Sequence, residues 1–145
     1  MTAETVRAGR DHYLAENSLS TDSYTARRFP IYVGSRPIYL PNPGYLPWHD
    51  LHHVVTGYQT GLVGEAEISA YELRSGCGSL FIVILCIGAM LIAMFVAPLR
   101  VVRAWRTARG ARNLYRCEIA YDSLLEMTVG DLRIKLGIPR EGFRR

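Results

Sequence analysis

From Leu80 to Leu99 the chain runs LFIVILCIGAMLIAMFVAPL, 20 residues without a charge. As one helix the run would reach roughly 30 Å, about the thickness of a bilayer's hydrocarbon core. No other feature restricts the fold so strongly, because a helix that is apolar all round has to be covered on every side. If it crossed a bilayer, neither flank of a 145-residue chain would hold enough core to fold alone. Inside a soluble bundle it would need about six neighbours at 8 to 10 Å spacing, more than the rest of the chain offers. The expectation is a bundle in which part of this helix is left over for acyl chains, a prenyl tail or a second copy, the last through the stripe Ala89, Ala93, Ala97. Pro98 marks its end.

Around that run the organisation is simple. Residues 1–30 are polar, with Ser18, Ser20, Thr21, Ser23 and Thr25 close together. They are expected to form a mobile arm with at most a short helix near Val6 to Leu14. Residues 31–145 are expected to form a single helical domain. Pro30, Pro37, Pro41, Pro43 and Pro47 forbid a helix before Trp48 and predict an extended lead-in whose aromatics pack down on the core. Pro47 suits a first helical turn, where its missing donor is not needed, so a helix is expected from Pro47 or Trp48 to about Val55. Gly57 and Gly61 bracket a connection, and Leu62, Ile68, Tyr71 and Leu73 mark a second helix to about Arg74. Leu124 and Leu125 belong to a helix ahead of another that Thr128 and Asp131 cap, and that Gly137 and Pro139 stop. The predicted class is all-α: a small helical bundle with one very apolar central or membrane-facing helix, preceded by an extended proline-rich segment.

The formal net charge of +4 comes without any zinc-finger, homeodomain or ribonucleoprotein pattern, so nucleic acid is not an expected partner. Arg100, Arg103, Arg106, Arg109, Arg112 and Arg116 follow the apolar run and either grip anionic head groups or form a solvated helix face. Cys77, Cys86 and Cys117 make no Cys-x-x-Cys pair, and their odd number argues against a disulfide framework. The first 30 residues hold Glu4, Asp11 and Glu16 and do not read as a secretory signal. Contact with a membrane is therefore expected from the cytoplasmic face, peripheral or partly inserted.

The pattern that carries chemistry is His49-Asp50-Leu51-His52-His53, with Glu65 beyond it. Four residues apart on a helix, His49 and His53 lie one turn above the other and can converge on one ion. Asp50 flanks the same side. Glu65 lies 12 residues past His53, about 120° off that face on a straight helix, and reaches the ion only from a separate helix. Two imidazoles with one or two carboxylates suit zinc first and iron(II) second. The plainer alternative is a surface cluster at a helix start. His52 points elsewhere and is expected to pack or to support the ligands.

These residues resemble a known family. Trp48-His49-Asp50-Leu51-His52-His53, then Thr56-Gly57, then Gly61-Leu62-Val63-Gly64-Glu65, is similar to the His-Asp-x-x-His, eleven residues, Glu pattern of the coenzyme Q biosynthesis protein 4 family. Tyr71-Glu72-Leu73, Pro98-Leu99-Arg100 and the stretch from Tyr121-Asp122 through Leu136-Gly137-Ile138 resemble its later segments. The likeness covers roughly residues 46 to 139. It implies an all-helical fold, a metal held by His49, Asp50, His53 and Glu65, and a place in ubiquinone synthesis at the membrane, on the matrix side of the mitochondrial inner membrane in a eukaryotic cell. Family members are implicated in replacing the carboxyl group on ring carbon 1 of a polyprenylated hydroxybenzoate by hydroxyl, which would make the chain a metal-dependent oxidative decarboxylase. The implied partners are a polyprenyl-quinone precursor or another lipid, the membrane surface, other quinone-synthesis enzymes and a second copy of the chain. The proline-rich lead-in stands where the family has a helical portion. Two further readings are a non-catalytic prenyl-lipid-binding scaffold, in which the metal ties two helices together, and a zincin-like metallohydrolase with Asp50 as base instead of ligand.

Overall fold

The computed structural model describes residues 3–143. Its elements are α1 (Val6–Glu16), β1 (Arg28–Val33), β2 (Arg36–Pro41), α2 (Leu46–Thr56), α3 (Leu62–Ser75), α4 (Leu80–Met94), α5 (Pro98–Thr107), α6 (Tyr121–Glu126) and α7 (Val129–Lys135), with 3-10 turns at Thr21–Tyr24 and Leu114–Arg116. The helix starts follow local chemistry. Thr5, Ser79 and Thr128 accept hydrogen bonds from the amides of Ala8, Ile82 and Asp131, each satisfying a donor that the first turn leaves without an intrahelical partner. Pro47 sits in the first turn of α2, and Gly57 closes that helix at φ 79°, a left-handed cap that costs glycine little.

The main core gathers on α2. Leu51 and Val55 meet Tyr71 of α3, Leu124 and Leu125 of α6, and Leu132 and Leu136 at the end of α7. Full burial of each such aliphatic side chain stabilises by roughly 1.5–3 kcal/mol. Val6 completes this cluster from α1, and its amide donates to the Met127 carbonyl at 2.8 Å. The short helix expected near Val6 to Leu14 is present as α1, and it contributes to the core instead of lying in a mobile arm, because Val6, Gly9 and Leu14 supply one buried face.

Two other expectations are corrected. The chain is mostly helical but not all-α, because the proline-rich lead-in pairs as an antiparallel hairpin, Arg28 opposite Pro41 through Val33 opposite Arg36. In a two-stranded ribbon both strands are edges, so a proline can stand where no ladder donor is required. Nor do the hairpin's aromatics all pack down: Tyr32 and Tyr39 are exposed. The apolar run, in turn, is not one helix. Pro98 has no amide hydrogen to donate and its ring would meet the carbonyl of Met94, so α4 ends at Met94 and Pro98 opens α5. With 15 residues, α4 measures about 22 Å, and among the described residues no helix is long and apolar enough to cross a membrane.

Candidate metal centre

Side chains from α2 and the first turn of α3 meet across the Gly57–Gly61 connection. Gly64 permits the meeting: a Cβ there would lie 1.8 Å from the Gln59 carbonyl oxygen, so a larger residue would push α3 away from the loop that leads into it. Glu65, one residue on, is thereby brought up to the two imidazoles.

His49, His53 and Glu65 each offer one ligand atom, and these atoms lie within 4.8 Å of one another. His49 Nε2 stands 3.3 Å from one carboxylate oxygen of Glu65, and His53 Nε2 stands 3.4 Å from the other. Charge-assisted N–H···O hydrogen bonds are shorter, about 2.7–2.9 Å. Ligand atoms at about 2.0–2.1 Å around a tetrahedral ion, by contrast, stand about 3.3 Å apart. His53 Nε2 is moreover buried without a hydrogen-bond partner, a position that would be costly unless something else occupies its lone pair. These three residues can hold a metal ion.

The far sides of both rings are anchored. His53 Nδ1 donates to the Tyr58 carbonyl at 2.9 Å, which places the ring proton there and leaves Nε2 bare. Tyr13 stacks on the same ring at 5.0 Å. His49 Nδ1 donates to Glu72 Oε1 at 2.9 Å, so its Nε2 also faces the common point. Anchoring of this kind fixes the tautomer and orientation of metal-binding histidines.

Glu72 is the functional residue that the sequence reading passed over. It is buried, seven positions after Glu65 and so two turns along one face of α3. Its Oε1 accepts from His49 Nδ1, from His52 Nδ1 at 2.8 Å and from the Tyr115 hydroxyl at 2.7 Å, and its Oε2 accepts from the Cys86 thiol at 3.4 Å. Four donors thus converge on one carboxylate, three of them on Oε1. His52, expected to face away from the ion, does so: Nε2 accepts from the Leu114 amide at 3.2 Å, and its Nδ1 proton goes to Glu72. The 108–117 segment that delivers Tyr115 is pinned by Tyr71, whose hydroxyl donates to the Arg112 carbonyl at 2.6 Å. The signal for Glu72 was its spacing from Glu65, an acid that recurs after two turns on the same face of α3.

Charge reinforces the geometry. Burial works against an ionised Glu72, but His49 and His52 outweigh it and hold the carboxyl well below its ordinary range. Burial likewise opposes a charged His49, yet the carboxylates of Glu72 and Glu65 raise it well above the usual histidine value. Burial of His52 pushes that ring the other way, in keeping with a neutral imidazole that both donates and accepts. Burial disfavours a charged Glu65, and the two facing imidazoles overcome that to lower its pKa.

Asp50 is not among the three converging residues. It is buried beside them, and burial pushes its carboxyl up. One residue along a helix turns a side chain by about 100°, so Asp50 flanks the face that carries His49 and His53. A cavity of about 500 Å³ bordered by Tyr13, His53, Tyr58 and Arg133 lies on one side of the cluster. The apolar groove of about 580 Å³ between α3, α4 and α5 is lined by none of the three ligand residues. No family model matches the chain, and no curated protein does either.

Proposed function

We propose that the chain is a metalloprotein whose centre is held by His49, His53 and Glu65, with zinc the first choice of ion and iron(II) the second. The observation that carries this reading is the pair of Nε2 atoms aimed at one carboxylate, each ring locked from behind by Glu72 or by the Tyr58 carbonyl. Two imidazoles and one carboxylate leave a tetrahedral ion an open position, as catalytic sites do and closed structural sites do not. The partial exposure of His49 and Glu65 supports access to it. A bound ion would supply a Lewis acid beside substrate. The protein's own contribution is to aim the ligands and to hold the His53 ring in place through the stacked Tyr13.

The resemblance of the His-Asp-x-x-His and Glu pattern to the coenzyme Q biosynthesis protein 4 family extends the proposal to the substrate: a polyprenylated hydroxybenzoate that loses its ring carbon 1 carboxyl group. Metal analysis of the purified protein beside a Glu65→Ala variant tests the centre, with one ion per chain expected only in the parent. Deletion of the gene tests the substrate. Cellular ubiquinone should fall and a carboxylated ring precursor accumulate, and normal quinone levels would remove that part of the reading.

The position of Asp50 beside the ligand group favours one second reading. In a zincin-like hydrolase the acid of the His-x-x-x-His helix acts as base and does not ligate. Turnover of an ester or peptide by the zinc-loaded protein, lost in Asp50→Asn with the ion retained, would select it.

A further inference from the structure

Between Glu72 and Glu118 the chain contains no acidic residue. That segment also carries the most apolar exposed surface of the molecule. α4 buries Ile82, Cys86 and Ala93 and exposes Leu80, Ile84, Ile87, Leu91 and Ile92, and at the corner into α5 Phe95 and Leu99 are 91% and 83% exposed. α5 buries Val101 and Ala104 on its inner side, and Ala108 at its C-cap is buried as well. Its outer side interleaves Leu99, Val102 and Trp105 with Arg103 and Arg106, and Arg109 follows in the turn just past the helix, all exposed. Leu99, Arg103 and Arg106 follow one another at helical spacing, so apolar and cationic side chains share a face. Arg100 is taken by Glu67, with N···O distances of 2.9 and 2.6 Å, whereas Arg103, Arg106 and Arg109 form no ion pair among the described residues.

We propose that this α4–α5 face docks in the plane of an anionic lipid bilayer, with Leu91, Phe95 and Leu99 entering the acyl boundary and Arg103, Arg106 and Arg109 lying among head-group phosphates. A contiguous apolar surface of this kind calls for a partner, and three observations choose it. α4 is too short to cross the hydrocarbon core, and α5, whose exposed side carries both apolar and cationic residues, suits a helix lying in the interface. The acid-free arginine row complements anionic head groups, each such residue contributing to partitioning. A two-fold-related second copy, by contrast, would set the same uncompensated arginines against each other. Trp105, half covered and stacked under the Arg74 guanidinium at 5.2 Å, lies where the amphipathic indole ring is favoured, at head-group level. This inference does not draw on the metal centre.

The test uses the full chain with vesicles of phosphatidylcholine alone or mixed with phosphatidylglycerol, followed by co-sedimentation and tryptophan emission. The expected result is strong binding only to the mixed vesicles, a blue-shifted emission, and loss of binding as salt screens the charges. Arg103→Gln with Arg106→Gln should weaken binding about 25-fold, about fivefold for each arginine neutralised. Phe95→Glu with Leu99→Glu, both at exposed positions, should abolish it while the ultraviolet circular dichroism is unchanged. Equal binding to both vesicle types, or none at low salt, would overturn the proposal. So would a dimer that the Phe95→Glu, Leu99→Glu pair dissociates without effect on sedimentation, or salt-sensitive binding to polyglutamate with none to vesicles, which would assign the face to an acidic protein.

Discussion

Replacing Glu72 by Gln removes one negative charge and almost no volume from the most heavily hydrogen-bonded side chain of the site. The amide oxygen can take the place of Oε1 and the amide nitrogen can face Cys86, so geometry survives while three bonds, from His49, His52 and Tyr115, lose their charged acceptor. A hydrogen bond to a charged group contributes about 1 kcal/mol more than a neutral one, so the metal-free variant should be less stable by about 3 kcal/mol. The sign follows from the direction in which the carboxyl is displaced: held below its ordinary range, it gains more from its imidazoles than burial costs it. At this chain length that loss lowers the melting temperature by roughly 10 °C. His49 would also lose the partner that keeps its Nε2 on target, and losses of about 10–100-fold in metal affinity accompany removal of such supports. Melting followed by circular dichroism, with and without chelator, and competition against a zinc-binding dye measure the two effects separately. A folded Glu72→Gln variant with unchanged melting temperature and unchanged zinc affinity would refute the assignment of Glu72 as the anchor of this centre.

Asp50→Asn should keep one ion per chain, whereas Glu65→Ala should lose it; metal content of the two purified variants decides, and loss in both would put Asp50 back in the ligand set. Gly64→Ala should cost roughly 1–3 kcal/mol as the chain shifts to relieve overpacking and should lower metal affinity in parallel, measured by melting and dye competition. Zinc affinity should rise with pH by up to about tenfold per unit around neutrality, because His49, raised well above the ordinary histidine value, must release its proton to ligate; a flat pH profile in the competition assay contradicts this. Metal-free protein should lose stability progressively as pH falls below the unfolded carboxylate pKa of about 4.3. Glu72 has a depressed pKa, so its contribution is present above the unfolded carboxylate pKa and disappears as pH falls below it. Chemical unfolding at a series of pH values should show a shallower loss in Glu72→Gln.

What could be read without coordinates was what short-range chemistry dictates. The start of α2 at Pro47, the cap of α7 at Thr128 and the four-residue spacing of His49 and His53 depend on a few neighbouring residues, and so did the break that let Glu65 return from a second helix. The apolar run misled, because absence of charge over 20 residues measures greasiness and not continuity. The covalent constraint at Pro98, already visible as a stop, acts four residues earlier on Met94 and divides the segment. The lead-in misled for the opposite reason: prolines that forbid a helix do not say whether two extended stretches pair, which depends on the turn at Gly34 and on having no third strand to satisfy. Tertiary structure alone decided which acids belong to the site. Helical spacing set Asp50 beside the histidines and Glu65 off their face, but a side chain's partners come from elements remote in sequence. Packing α3 against α2 and the 108–117 segment set Glu72 behind His49 and left Asp50 to one side.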